Sequence, residues 1–314
     1  MKINSLRRWC RPKVILVIST LTESPAHTFQ VVSGMKTTGA RLFMVQLPAM
    51  AINRNPSGGD VPFLLTAAPK SFELQSAHGS SQTFLWAEIL SEATVLKNTP
   101  VERIPCLVDS LAADLVVLTA PEIGRIPFGA GEMGTVDLFG SLPVPILICG
   151  PRANMRSWNA REVRKILVPV ALGPDVGMQM RFVCRFARRH HGRITVLHVF
   201  LNLEPKVHPW ERTPLAVESK LPISELKQEG ILCPMEIAIR EGYPEQKIIA
   251  FNEQSPHDLI FMGGPQQRNS IRKLGRSVAE AVIAEAHCPV LMLGHAIIAT
   301  GFGLSEPDSH LSLA

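Results

Sequence analysis

Short apolar runs recur along the chain, separated by polar connections marked with glycine and proline. In the first part they are "KVILVIST" (13–20), "ARLFMVQLP" (40–48), "ADLVVLTA" (113–120) and "VPILICG" (144–150). In the second they are "KILVPVAL" (165–172), "GRITVLHVF" (192–200), "HDLIFMGG" (257–264) and "CPVLMLG" (288–294). Continuous apolar runs of this length are the pattern of parallel strands covered on both faces. Strands are expected near 165–171, 193–200, 234–240, 257–262 and 289–294, with a weaker one, "TVLK" (94–97), in the first part. Between the runs the pattern turns helical. Over 175–190, Val176, Met180, Val183 and Ala187 form one stripe, Arg181, Arg185, Arg188 and Arg189 lie off it, and Gly192 follows as a stop. That arginine face is expected to be solvated, and His190–His191 suit the helix C-terminus. "EGYPEQKII" and "NTPVERIP" each place a proline, Pro244 and Pro100, near a first helical turn, where a missing N–H costs nothing.

The pattern occurs twice. Lys13 to Lys165 and Arg41 to Arg193 are both 152 residues; Pro100 to Pro244, Ile104 to Ile248, Asp114 to Asp258 and Pro145 to Pro289 are all 144. The offset holds, drops once by eight, and holds again, which marks a duplicated domain with a longer connection in its first copy. The stretch "NRNPSGGDVP" (53–62) suits that extra loop. Alternating strands and helices predict an α/β fold: two tandem doubly wound domains, each a five-stranded parallel sheet flanked by helices. The domains are expected at 1–152 and 163–296, with 297–314 a mobile tail. Pairing of the two through "VPILICG" and "CPVLMLG" is expected. Ligands of such sheets bind at the carboxyl ends of the strands.

Composition narrows the function classes. At 314 residues, 46% hydrophobic and 19% charged, the chain is globular. The net charge of +5 is scattered and aromatics are only 6%, which argues against nucleic acid as a partner. No apolar run reaches the ~18 residues of a membrane span, and "KVILVIST" is read as a first strand rather than a signal sequence. Cys10, Cys106, Cys149, Cys184, Cys233 and Cys288 form no CxxC pair and are expected as buried small hydrophobes in a reducing, cytoplasmic setting. No G-x-x-x-x-G-K-[ST] or G-x-G-x-x-G occurs.

"KILVPV", "GRITVLHVF", "REGYPEQKII", "HDLIFMGG" and "SVAEAVIAEAHCPVLML", taken in order, resemble the universal stress protein (UspA-like) family. The likeness covers nearly all of 165–294. Residues 13–150 match more loosely through "KVILVIS", "ARLFMVQLP", "ADLVVLTA", "GRIPFGAGEMGT" and "VPILICG". The resemblance implies an adenine-nucleotide α-hydrolase-like fold in a tandem member. It implies ATP or another adenine nucleotide, with Mg if ATP, as the cofactor of some members; others bind none. Nucleotide-binding members close the first strand with an Asp and follow the fourth with G-x2-G-x9-G-[ST], where backbone and hydroxyl receive phosphate.

Both copies depart from that pattern. In the second, Gly263 and Gly264 follow the fourth run, but Gln266 holds the second glycine's place and Arg276 the third's, ahead of Ser277 and Val278; Ala171 replaces the Asp. Arg276 either brings a cation to a phosphate or fills the pocket itself. In the first, Gly124-x9-Gly134-Thr135, leading into Val136, is intact counted from the helix, Thr119 stands where the first glycine is expected, and Ser19 replaces the Asp. The glycines of that loop are expected to leave it flexible or able to approach a ligand closely. Ser19, Gly124, Gly134, Thr135, Val136, Gly263, Gly264, Arg276, Ser277 and Val278 are therefore the candidate nucleotide contacts; no catalytic or metal residue is assigned. His198, at the rim, is expected to be structural.

The expected function is a universal-stress-type regulatory protein with degenerate nucleotide crevices, acting on an unidentified protein partner, alone or as a homodimer. One alternative is an ATP, ADP or AMP sensor with a working site in one copy. A more distant one is an adenylate-transferring enzyme of the same superfamily; otherwise at most slow ATP hydrolysis is expected.

Overall fold

The computed structural model describes residues 12–20, 25–36, 39–47, 94–96, 103–119, 125–128, 131–134, 142–155, 158–201, 209–263 and 278–294. The stretch 53–62 and the tail lie outside them. The first half runs β1 (Val14–Thr20), α1 (Pro25–Lys36), β2 (Arg41–Leu47), β3 (Thr94–Leu96), α2 (Ile104–Ser110), β4 (Leu115–Thr119), β5 (Arg125–Phe128), β6 (Gly131–Gly134) and β7 (Ile146–Cys149). The second runs β8 (Lys165–Val170), α3 (Val176–Arg189), β9 (Arg193–Phe200), α4 (Pro214–Glu218), α5 (Ile223–Gln228), β10 (Met235–Glu241), α6 (Pro244–Gln254), β11 (Leu259–Met262), α7 (Val278–Glu285) and β12 (Val290–Met292).

Ten strands form one sheet in the order β10-β9-β8-β11-β12-β7-β4-β1-β2-β3. Each half contributes a parallel five-stranded unit with its first strand at the centre, and the halves meet through β7 and β12, the sheet's antiparallel pair. That pairing sets Leu147 opposite Leu291. The two leucines are 144 residues apart, so equivalent positions of the repeat face each other and a pseudo-two-fold passes between them.

Alternation along the strands feeds two cores. Ile15, Val17, Ile166 and Val168 point to the face covered by α1 and α3, where Val31, Val32, Met180 and Val183 meet them. Leu16, Ile18 and Leu167 point to the opposite face, covered by α2, α6 and α7 through Ile104, Ile248, Val282 and Ile283. At ~25 cal/mol per Å² of apolar surface, these two layers supply the main stabilisation.

The duplicated aspartates have one job. Asp114 Oδ2 accepts from the N–H groups of Lys13 and Val14 at 2.8 and 3.1 Å. Asp258 Oδ2 accepts from those of Arg164 and Lys165, both at 2.8 Å. Each carboxylate fastens the start of its half's central strand to the start of the neighbouring one. The prolines repeat too: the Pro145 and Pro289 carbonyls accept from Val116 and Ile260.

Between the halves, Trp158 donates its indole N–H to the Asp258 carbonyl at 3.0 Å and packs on Gly34 of α1. At the other end of the seam, a Cβ on Gly150, just past β7, would run into the Ile283 carbonyl of α7. Glycine there is required by close approach of two backbones.

Candidate functional site

In each half the strand order reverses beside the central strand, and this switch point is where an open α/β sheet takes a ligand. In the second half it lies between β8 and β11. These strands pair only through Ile166 and Leu167 before they diverge. Pro169, two residues further along β8, has no N–H to offer. The gap is filled from α3. Gln179, only 6% exposed, donates its amide to the Pro169 carbonyl at 3.0 Å. Its Oε1 lies 3.3 Å from where a Cβ on Gly263 would stand. Gly263 thus makes room for a side chain of the protein itself. Ala171, in the place of the family's Asp, follows β8 and is exposed.

The first half closes its switch point differently. Thr119 ends β4 and is fully buried, and its hydroxyl donates to the Ile18 carbonyl of β1 at 3.2 Å. Thr119 is the counterpart of Gly263, so a hydroxyl stands where the family's first glycine leaves space. Ser19 sits beside it in β1, paired with Gln46. In the glycine-spaced stretch of this half the described residues form two short strands. β5 and β6 pair antiparallel, with Arg125 opposite Gly134 and Phe128 opposite Gly131. Gly134 is thus paired in a ladder, where the sequence suggested a loop either flexible or able to approach a ligand closely. Gly124, Thr135 and Val136, and in the second half Gly264, Arg276 and Ser277, lie outside the described residues. Val278 opens α7 and is 37% exposed.

Several further expectations change. Arg181 and Arg185 are not simply solvated: both reach Glu229 beyond α5, at 2.6 and 3.4 Å. The buried stripe of α3 is wider than its apolar spacing, because it also contains Gln179 and Phe182. Gln179, three positions after Val176, is the polar interruption of that stripe. His190 is no dipole-neutralising cation. Burial pushes its pKa down to about 4, and its buried Nε2 has no hydrogen-bond partner among the described residues. His198 holds the Val170 carbonyl through Nδ1 at 2.9 Å and meets Phe200 edge-on.

Cys106 is exposed, against expectation, while Cys149, Cys184, Cys233 and Cys288 are buried; Cys10 lies outside the described residues. Contact with Cys233 and burial together push the Cys184 thiol up. Burial raises Cys288 to about 12. A raised pKa makes Cys184 and Cys288 poor nucleophiles, whereas the contact with Cys184 lowers Cys233. At the amino ends of the strands a closed polar chain links Glu236, Thr195, His257 and Asn252. The Thr195 hydroxyl donates to Glu236 at 2.6 Å, and the His257 ring nitrogens lie 3.2 Å from Thr195 Oγ1 and 3.2 Å from Asn252 Oδ1. Burial lowers the His257 pKa. Among the described residues no cluster of His, Cys, Asp and Glu could hold a metal ion, and no helix is long and apolar enough to cross a membrane.

The sheet, its switch points and the repeat can be set against known proteins. The model of the universal stress protein family matches residues 162–294. A universal stress protein of Methanocaldococcus jannaschii is 30% identical over 140 residues, which are 41% of this chain and 81% of the relative. The chain belongs to the universal stress protein family. Two solved structures are similar in fold over most of the chain. A universal stress protein from Archaeoglobus fulgidus covers 89% of this chain and 97% of its own, at 15% identity and TM-score 0.52. A putative universal stress protein from Pseudomonas aeruginosa covers 94% and 97%, at 14% identity and TM-score 0.52. At such identities the likeness is one of fold. The family match falls on the second half; the first half shares its strand order.

Proposed function

We propose that this universal stress protein is a regulatory, non-catalytic member that works through protein contacts, with both switch-point crevices occupied by its own side chains in place of a nucleotide. The carrying observation is Gln179. It is buried on the core stripe of α3, bonded to the Pro169 carbonyl and seated against Gly263. Burying a polar amide is costly unless it is paired. The pairing here uses the strand carbonyl that the divergence of β8 and β11 leaves open. The Thr119 hydroxyl supports the same reading for the first half. A non-catalytic role fits two of the described histidines: His198 is engaged by a strand carbonyl, and His257 by a polar chain at the sheet's other end. Among the described residues neither ring contacts a nucleophilic side chain at a switch point.

Thermal shift of the full chain with millimolar Mg-ATP, ADP and AMP, beside the Gly134→Ala variant, tests this. Ligand that binds the folded state raises the melting temperature. The expected result is no shift. A shift in the parent protein would overturn the reading in favour of a nucleotide sensor, and its loss in Gly134→Ala would place the site in the first half.

A further inference from the structure

We infer that β10 is a homodimer interface, at which the edge strands of two copies pair antiparallel about Ala238 to continue the sheet from one molecule into the next. β10 is the outermost strand of the second half. Its register with β9 and the bond from the Ile194 N–H to the Pro234 carbonyl direct the even-numbered backbone groups inward. Those of Met235, Ile237, Ile239 and Glu241 therefore point outward. Among the described residues their N–H groups make no hydrogen bond. One outward carbonyl is covered: Arg240 folds its guanidinium back onto Ile239 at 2.7 Å. An open edge of this length is a template for another strand, and charged side chains are the usual guard against it.

The occupant follows from charge and parity. A two-fold at Ala238 makes Ile237 and Ile239 the hydrogen-bonded partners, as their outward groups require. It sets Glu236 of each copy opposite Arg240 of the other, twice in each interface. Arg240 then leaves its own carbonyl for the facing carboxylate, freeing the edge as it does so. Both side chains lie on one face of the sheet: Glu236 accepts from Thr195, and Arg240 lies over the Phe251 ring at 4.8 Å.

Exposed apolar side chains mark the same edge. Five of the six exposed large hydrophobics among the described residues flank β9 and β10: Leu201, Trp210, Leu215, Leu232 and Tyr243. Trp210 is 66%, Leu215 75% and Tyr243 58% exposed. An ion pair from Arg212 to Glu241 at 2.7 Å places the Trp210 turn beside the carboxyl end of β10. The two-fold at Ala238 brings Leu232, before the strand, alongside Tyr243, after it. Clustered exposed aromatics rimmed by charge are what an interface buries.

The test is the mass of the full chain in solution, by light scattering and native mass spectrometry at low salt. A dimer is expected. Arg240→Glu sets like charges face to face and should weaken it by about tenfold or more, while Glu236→Arg combined with Arg240→Glu restores it. In a Cys106→Ser background, Ala238→Cys lies on the two-fold and should form a covalent dimer on mild oxidation. A monomeric parent, a dimer unmoved by Arg240→Glu or not restored by the exchanged pair, or no covalent dimer from Ala238→Cys in a folded protein would each overturn the inference.

Discussion

Leu147 of β7 and Leu291 of β12 face each other across the centre of the ten-stranded sheet, two equivalent residues of a duplicated sequence brought side chain to side chain. They are 4% and 2% exposed. Each Leu→Ala should therefore cost about 2–5 kcal/mol. Because the two share one contact, the double variant should cost less than the sum of the singles. Urea unfolding of the four proteins measures both; strict additivity would place the leucines in independent sites.

Trp158 spans the halves where its ring rests on Gly34. A Cβ there would stand 3.0 Å from both the ring and the Trp158 carbonyl. Gly34→Ala gains helix propensity of up to ~1 kcal/mol and loses about 1–3 kcal/mol to overpacking. Net destabilisation is expected. Trp158→Phe keeps most of the packing and deletes the bond to Asp258, for a loss of about 1 kcal/mol. A more stable Gly34→Ala protein would show that the ring does not sit there.

Asp114 and Asp258 each hold two backbone N–H groups. Asp114→Ala and Asp258→Ala should each lose about 1.5–3 kcal/mol, Asp114 the more, because it is the buried one at 8% exposure. Chemical denaturation of both variants decides the order.

His190 couples stability to pH. Its folded pKa, about 4, lies below the ordinary 6.5 because burial disfavours the charge. As pH falls from 6.5 towards 4, the unfolded chain takes up a proton that the folded chain refuses, so stability declines across that window and levels off below it. His257, lowered by burial as well, adds in the same direction. His190→Gln should flatten the decline by on the order of 2 kcal/mol, its partial exposure discounted. An unchanged slope between parent and variant would contradict the burial of that ring.

Much of the fold was legible in the chain. Apolar runs of strand length and constant offsets of 152 and then 144 residues placed the strands, the helices and the repeat, because burial on both faces of a parallel sheet leaves a continuous signal. Asp114 and Asp258 helped to set the register before their role was visible; their bonds go to N–H groups about 100 positions away, which no local pattern encodes. The site was less legible. Counting glycines identified Gly263 but not its occupant. Gln179 lies 84 residues earlier, on a helix whose stripe reads as apolar. Nor did the spacing Gly124-x9-Gly134 reveal a strand pair, since glycine permits both an open loop and a paired strand end.

The central claim is that the protein's own side chains take the place of a nucleotide at the switch points. Equilibrium dialysis of the full chain against labelled ATP with magnesium, for the parent and for Gln179→Ala, addresses it directly. The account predicts no retained nucleotide in the parent and measurable retention once Gln179 is truncated. Stoichiometric binding by the parent, undiminished at millimolar ligand and unaffected by Gln179→Ala, would contradict it.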